Sequence, residues 1–561
     1  MTIDHRRIRP RAGRRRGALV AAVTGAGMLL AACSNTPVST GGTTPAGTTT
    51  AAAGSETAGS GTGSETAGGG GTPTGTITIV DTVFPPTFDP INTTNSSTNK
   101  VVRPLYDTLV AYTDGADAEM VPSVATEWTV SEDGLTYDFT LRDDVVFHSG
   151  NPLTAEDVKF TLDRTTEVGT GIAGGLAEYD SSTVVSPTEL EVTLSKANHS
   201  FLGRMSRLYL LDSKLVQENI GDDNGATFLA ANDAGSGPYT LGENVANQST
   251  TFEAFPEYWK GWDGNHVQTV VFQYLSEAAS QQAAVESGQA DIGLGVPRES
   301  YAQFEQMDGF TVDASDSLEG LYVHFNNETG IMTDPKLRQA VAMAFDYETF
   351  AQNILLGYGT PAKGALNSMM PCQVDGLQVP TYDLADAKAL VEEAGATGKT
   401  VDIVYINTLL DEVQGFELLQ SALTEIGLQV NGMPMAYPAY AELLSSAETT
   451  PDMAFSYAYP LFPDPNEVLY INYDSNLIGK TNYARYSNPE VDKLVEEAQT
   501  VPLDQACEMY QQAQELIVAD YPSVWISDNK AMAVIGPRVA GYAYNVAQHK
   551  SVDFYALSVK G

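Results

Sequence analysis

Two hydrophobic spacings alternate along the chain from Thr76. In "TYDFTLR" every second residue is apolar (Tyr137, Phe139, Leu141), and "VVFH" continues the alternation after an acidic turn. That period of two predicts strands with one buried face. "SEDG" (Ser131 to Gly134), just upstream, reads as a hairpin turn. After "GNP" the period changes. Ala155, Val158 and Leu162 form a helical stripe, and Thr154 with Asp157 predicts a capping box at its start. Asp334 caps a second helix with Pro335 in its first turn and with Leu337, Val341, Ala344 and Phe345 facing inward. Asp346 opens another that Gly357 ends, and Asp383–Gly395 and Asn488–Ala498 repeat the pattern. Strands at Val401–Tyr405 and Met453–Tyr457 lie between them, so the expected class is α/β.

One stretch breaks the rhythm. "FSYAYPLFPDPNEVLY" (Phe455 to Tyr470) reads as a core strand up to Tyr457, where prolines stop it. The rings beyond are expected on a stiff loop that lines a cleft, with ordinary loop packing as the alternative.

The N-terminal segment has a different logic. Seven arginines fall within the first sixteen residues, Gly17 to Ala32 is uncharged, and small residues close the run. This is the pattern of an export signal over residues 1–32, too short to span a membrane comfortably. Leu30-Ala31-Ala32-Cys33 resembles the bacterial lipobox, which implies that Cys33 carries acyl chains at a new N-terminus. Several chains give stable anchoring where a single chain is marginal. The arginine pair before Gly17 resembles a twin-arginine signal only faintly, so the export route stays open. Residues 33–74 are rich in Ser, Thr, Gly and Ala, repeat "GSETAG" twice and lack aromatics; they are expected to form a disordered tether. Such a coil reaches roughly 35 Å.

Charge narrows the partners. Removing the signal's seven arginines and one aspartate takes the net charge from −41 to −47, which disfavours nucleic acid and anionic lipid surfaces. Cys372 and Cys507 remain as an even pair, expected to be disulfide-bonded outside the cytoplasm. The five histidines of the mature chain (His148, His199, His266, His324, His549) stand at no ligand spacing, and no Cys/His pattern argues for zinc. "SMMPC" (Ser368 to Cys372) reads as methionine gap-filling beside a structural cysteine rather than a soft-metal site. No nucleophile elbow, metalloprotease helix or phosphate-cradling loop occurs. No catalytic residue, metal or cofactor is therefore expected. No further apolar run of about 18 residues follows the signal, and the body is read as soluble, with length enough for two or more lobes.

"VPSVATEWTVSEDGLTYDFTLRDDVVFHSGNPLTAEDVKFTLDR" (Val121 to Arg164) resembles the signature of the family-five solute-binding proteins, the peptide- and nickel-type receptors of ABC importers. "GSGPYTL", "FPEYWKG", "VESGQADIG", "DPKLRQAVAMAFD", "DLADAKALVEEAG" and "YSNPEVDKLVEEA" resemble further family blocks in family order. The resemblance covers nearly everything after residue 75. It implies a bilobal, periplasmic-binding-protein-like clamshell, with lobe one at 75–318 plus 527–561 and lobe two at 319–526. Hinge crossings would lie near Leu318 and Ile526.

The resemblance also implies ligand contacts. An aromatic follows the strand after the "IGLQV"-type segment in peptide-binding relatives; here it is Tyr437. Those relatives carry a Trp and an ammonium-binding Asp ahead of the pair matching Asp464-Pro465; here the positions hold Ala458 and Leu461. An ammonium facing leucine lacks its partner, so Glu319 near the hinge is the candidate substitute, or the ligand is not an ordinary free peptide. Tyr437, Tyr457, Tyr459, Tyr322 and Phe462 are expected to pack on the ligand.

The implied protein is a monomeric lipoprotein on the outer face of the cytoplasmic membrane that delivers a peptide to an ABC permease. An oligosaccharide or amphipathic non-peptide solute is the alternative cargo. An extracytoplasmic hydrolase or a sensory lipoprotein is the alternative class.

Overall fold

The computed structural model describes residues 71–115, 118–548 and 551–560. The export signal, Cys33, the tether up to residue 70 and His549 lie outside the described residues.

An 11-stranded mixed sheet threads the molecule. Its order runs Gln429–Met435, Thr400–Ile406, Met453–Ala458, Thr311–Phe325, Ser523–Ile535, Ile292–Gly293, Thr76–Asp81, Thr269–Tyr274, Ser249–Ala254, Tyr239–Val245, with Gly359–Pro361 paired to Ser523–Ile535 off this path. The two long central strands serve two cores. Val524 and Ile526 pack with Leu321, Val323, Phe325, Leu337 and Phe345. Further along the same strand, Ala533 and Ile535 pack with Ile77, Phe252, Phe272 and Phe554. A separate 4-stranded antiparallel sheet (Ala125–Val130, Thr136–Leu141, Glu189–Leu194, Tyr179–Ser186) lies against the helix Ala155–Val168 and has its own core around Tyr137, Phe139 and Leu162.

The two long strands pair antiparallel from Thr311↔Ile535 to Asp316↔Lys530, and pairing resumes at Gly320↔Asp528. In the gap, Ser317 Oγ donates to the carbonyl of Asn529 at 2.6 Å and accepts from Glu319 N at 3.1 Å. The interruption therefore has its own hydrogen bonds, as a buried backbone irregularity requires.

Local punctuation matches the sequence in most places. Thr154 and Asp157 form the capping box, and Gly169 ends that helix at φ 68°. Asp334 accepts from Lys336 N at 2.9 Å and starts Pro335–Ala344, whose Leu337, Val341, Ala344 and the following Phe345 are buried. Asp346 caps a turn that passes into a π-helical segment, Phe350–Ile354, before Gly357. Asp383 and Asn488 cap Leu384–Glu393 and Pro489–Ala498. Ser131–Gly134 turns between two strands of the smaller sheet, with Gly134 N donating to Ser131 O at 2.9 Å.

Two places differ. "VVFH" buries Val145 and Phe147 but makes only an isolated bridge from Val146 to Pro152, because the turn at Gly150 (φ 86°) folds the chain back at once. The stretch after Tyr459 is a short loop, and a helix then starts at Asn466 and runs to Tyr473. Asp464 Oδ1 accepts from Asn466 N at 2.9 Å, with Pro465 between them. This Asp-Pro helix start is of the kind seen at Asp334-Pro335. Tyr470 therefore stands on a helix, not on a proline-stiffened loop.

Cys372 and Cys507 are joined by a disulfide, with Cα atoms 5.0 Å apart. It ties the Ser368–Val379 loop to the helix Leu503–Asp520.

Candidate functional site

A cavity of about 750 Å³ lies between the lobes, within the range of small-ligand sites. Further cavities of about 350 and 260 Å³ lie elsewhere, one lined by Asp346, Tyr382 and Trp525 and the other by Arg103, Asp107 and Asn545. One wall of the interlobe cavity comes from the Gly171–Glu178 segment, Asn198 and Arg204; the other comes from Tyr437, Ser456–Leu461 and the helix Asn466–Tyr473.

The aromatic end is built locally. Tyr457 closes the strand Met453–Ala458 and Tyr459 follows it, so the two rings stack at 5.2 Å with 16° between planes. Tyr437 opens the helix Tyr437–Leu444 and stacks on Tyr440 at 6.4 Å. Tyr437 is 60% exposed and Tyr459 41%, so both present ring faces to whatever enters. Tyr457 is oriented from behind. Its hydroxyl donates to Asp411 Oδ2 at 2.9 Å, and Arg298 grips both oxygens of Asp411 at 2.8 and 3.0 Å. Burial, then the Asp411 charge, push the Tyr457 phenol well above its ordinary pKa, so it remains a donor. Arg298 opens the short helix Arg298–Ser300 and Asp411 sits in the first turn of the helix Leu410–Glu425, so this bidentate pair joins segments far apart in the chain.

The opposite end is where the lobes meet. His199 N donates to Gln499 O at 2.9 Å, and His199 Nδ1 lies 3.1 Å from the carbonyl of Ala498. His199 Nε2 stands 3.3 Å from Asp464 Oδ2, which also accepts from Ser200 Oγ at 3.0 Å. Burial opposes a charge on His199, but the hydrogen bond and charge of Asp464 outweigh it and raise the imidazole pKa. Burial likewise opposes the carboxylate of Asp464, yet His199, Asn466 N and Ser200 bring its pKa below the usual range. The two directions agree on an ionised pair.

Arg204 and Glu467 make a second bridge at 3.2 Å. Burial raises the Glu467 carboxyl, the Arg204 charge lowers it, and the net shift is upward. Glycine permits the close approach: a Cβ on Gly203 would stand 2.4 Å from the Phe462 ring, and one on Gly175 would stand 2.4 Å from the Arg204 guanidinium.

The sequence-derived candidates divide accordingly. Tyr437, Tyr457, Tyr459 and Leu461 line the cavity. Phe462 does not; its ring is buried over Gly203 and beneath Arg204, where it packs lobe against lobe. Tyr322 is also off the cavity, buried in lobe two with its hydroxyl donating to Ala365 O at 3.0 Å. Its side chain points to the face of the strand opposite Leu321 and Val323. Glu319 is buried at the interruption between the long strands, where its Oε1 accepts from Asn529 Nδ2 at 3.4 Å.

Lining residues that sequence reasoning missed include Asn198, Arg204, Asn466, Glu467, Tyr483 and Gln499, whereas Tyr470, in the aromatic stretch expected to line a cleft, does line it. The Asp464-Pro465 helix start could have flagged Asn466 and Glu467 as first-turn residues beside the aromatic run. Nothing in the sequence links them to Asn198 or Gln499.

Comparisons with known proteins fit this geometry. The profile of "Bacterial extracellular solute-binding proteins, family 5 Middle" matches residues 119–480. The probable D,D-dipeptide-binding periplasmic protein DdpA of Escherichia coli (strain K12) is 27% identical over 475 residues, covering 82% of this chain and 90% of its own. Heme-binding protein A of Haemophilus influenzae is 25% identical over 492 residues, covering 83% and 89%. Among solved structures, the dipeptide-binding protein from Pseudoalteromonas sp. SM9913 in complex with Met-Leu superimposes with a TM-score of 0.77 at 23% identity, covering 87% of this chain and 100% of its own. With its bilobal fold and a profile match over most of its length, the chain belongs to family 5 of the bacterial extracellular solute-binding proteins, the solute receptors of ABC importers.

Proposed function

We propose that this protein is a lipid-anchored receptor that captures a peptide between its lobes and hands it to an ABC permease. Cys33 carries the anchor, residues 34–74 give the body reach above the membrane, and the body works as a monomer with no catalytic step and no cofactor.

The observation that carries the reading is the interlobe cavity, with tyrosine faces on one wall and an arginine-bearing segment on the other. A ligand held there touches both lobes only when they are closed, so it binds the closed state better, and that difference alone shifts the population. The peptide class is supported by peptide-binding relatives and by ring faces suited to side chains and amide planes. The same rings also suit an oligosaccharide or other amphipathic solute, which is the second reading.

Lobe one is assigned 75–318 with the C-terminal return, and lobe two the intervening chain. Hinge crossings are proposed near Leu318 and Ile526; the break in pairing between Asp316↔Lys530 and Gly320↔Asp528 supports the first.

Native mass spectrometry of the protein purified from its own host tests both parts of the reading. A diacylglyceryl adduct on a chain beginning at Cys33, with a co-purified mass series fitting short peptides, is the expected result. A chain without lipid mass would end the anchor proposal, and a retained saccharide would replace the cargo.

A further inference from the structure

The junction end of the cavity holds hydrogen-bonding capacity that the described residues leave unused. Asn466 is 1% exposed and lines the cavity, and among the described residues neither its Oδ1 nor its Nδ2 has a partner. Gln499, 2% exposed, lines the same end with Nε2 also unpartnered among them, and Arg204 Nε adds a further donor. Asn198 stands beside them with its Oδ1 already accepting from Ser200 N at 3.0 Å. Buried amides are ordinarily satisfied, and leaving them unmet is costly. Under the proposed lobe division, the backbone bond from His199 to Gln499 forms when the lobes meet, so this constellation belongs to the closed state.

The charges at this end already cancel. Arg204 faces Glu467 at 3.2 Å, and His199 faces Asp464 at 3.3 Å. A ligand carboxylate would lie beside Glu467, and a ligand ammonium beside Arg204. Either would have to break a pair to find its own partner, at the cost of stranding a buried charge. Apart from Glu467 Oε1, which the Arg204 guanidinium faces as an ion pair without a hydrogen bond, the free capacity is one acceptor, Asn466 Oδ1, and several donors, all but Arg204 Nε on uncharged groups. A secondary amide, with one N–H and one C=O, satisfies Asn466 Oδ1 and either carboxamide nitrogen without disturbing the ion pairs.

We infer that Asn466 and Gln499 form a subsite for an uncharged amide of the ligand, so the receptor takes peptides whose amino end is acylated or otherwise blocked. This rests on the peptide reading above. Leu461, on the same wall, offers an acyl group an apolar neighbour.

The test is a competition read by native mass spectrometry on the mature full-length chain, stripped of ligand. The probes are equimolar mixed-sequence tetrapeptide pools, one with free amino ends and one N-acetylated. The wild type should retain the acetylated pool by about tenfold or more, roughly the worth of one well-made buried hydrogen bond. Asn466→Asp, which keeps the shape but swaps a donor for a charge, should move the ratio toward the free-amine pool. Gln499→Ala, on a different element, should lower retention of the acetylated pool several-fold. Retention of the free-amine pool at least as strongly by the wild type, or an unchanged ratio in both variants, overturns the inference and leaves the peptide reading standing. Retention of neither pool overturns both.

Discussion

At one end of the cavity three tyrosines offer ring faces; at the other, the Arg204–Glu467 pair and a set of carboxamides line the space, and the His199–Asp464 pair adjoins them along the chain. The aromatic end comes almost wholly from lobe two, on residues close to the strand Met453–Ala458 and the helix Tyr437–Leu444. The junction end brings His199 and Arg204 against Asp464, Glu467 and Gln499, residues far away along the chain, and under the proposed lobe division it forms when the lobes close. Under the proposed reading, the aromatic end supplies contact area to an incoming solute and the junction end converts occupancy into closure. Stacking on rings tolerates many ligands, whereas a buried polar junction with its charges already paired is selective.

Substitutions can separate the two roles. The largest effect is expected from Arg204→Met, which strands the buried Glu467 carboxylate. Breaking a buried pair costs about 3 kcal/mol. Calorimetry with the ligand recovered from the host should show affinity falling about 100-fold, and Arg204→Met with Glu467→Leu should recover part of the loss. If Arg204→Met alone binds normally, the junction does not drive closure.

Tyr457→Ala and Tyr459→Ala should each cost about 2 kcal/mol of binding with little change in melting temperature, as ring contacts at the centre of an interface do. Normal affinity in both variants would remove the aromatic end from the site. Tyr457→Phe isolates the bond to Asp411 and should cost about 1 kcal/mol; an equal loss from Arg298→Gln would show that the Arg298–Asp411 pair acts through this ring.

The smallest effect is the pH dependence. The His199 pKa is raised on pairing, so its contribution is complete below the ordinary value near 6.5 and is lost as pH climbs through the raised one. The Asp464 pKa is lowered, so its contribution is complete above the ordinary value near 3.9 and is lost as pH falls through the lowered one. Through this pair alone, affinity should weaken on the alkaline side, above about pH 6.5. A titration of His199→Gln should lack the alkaline decline.

This division also accounts for what the sequence reveals. Helix caps at Thr154, Asp334, Asp383 and Asn488 are local signals, and the structure reproduces each. The aromatic end is legible for the same reason, since Tyr457 and Tyr459 sit within a few residues of one strand end. Phe462 and Tyr322 share that composition, but face and packing decided against them: one ring is taken up by Gly203, the other by the face of its strand. The junction draws residues 198–204, 464–467 and 499 into one place, and no spacing along the chain encodes that meeting.

The central claim is that the lobes close over a ligand in this cavity. Small-angle scattering of the mature chain, stripped and then reloaded with its recovered ligand, tests it most directly. The account predicts a smaller radius of gyration on loading and no such contraction in Arg204→Met. Superimposable curves for the stripped and loaded wild type would contradict it.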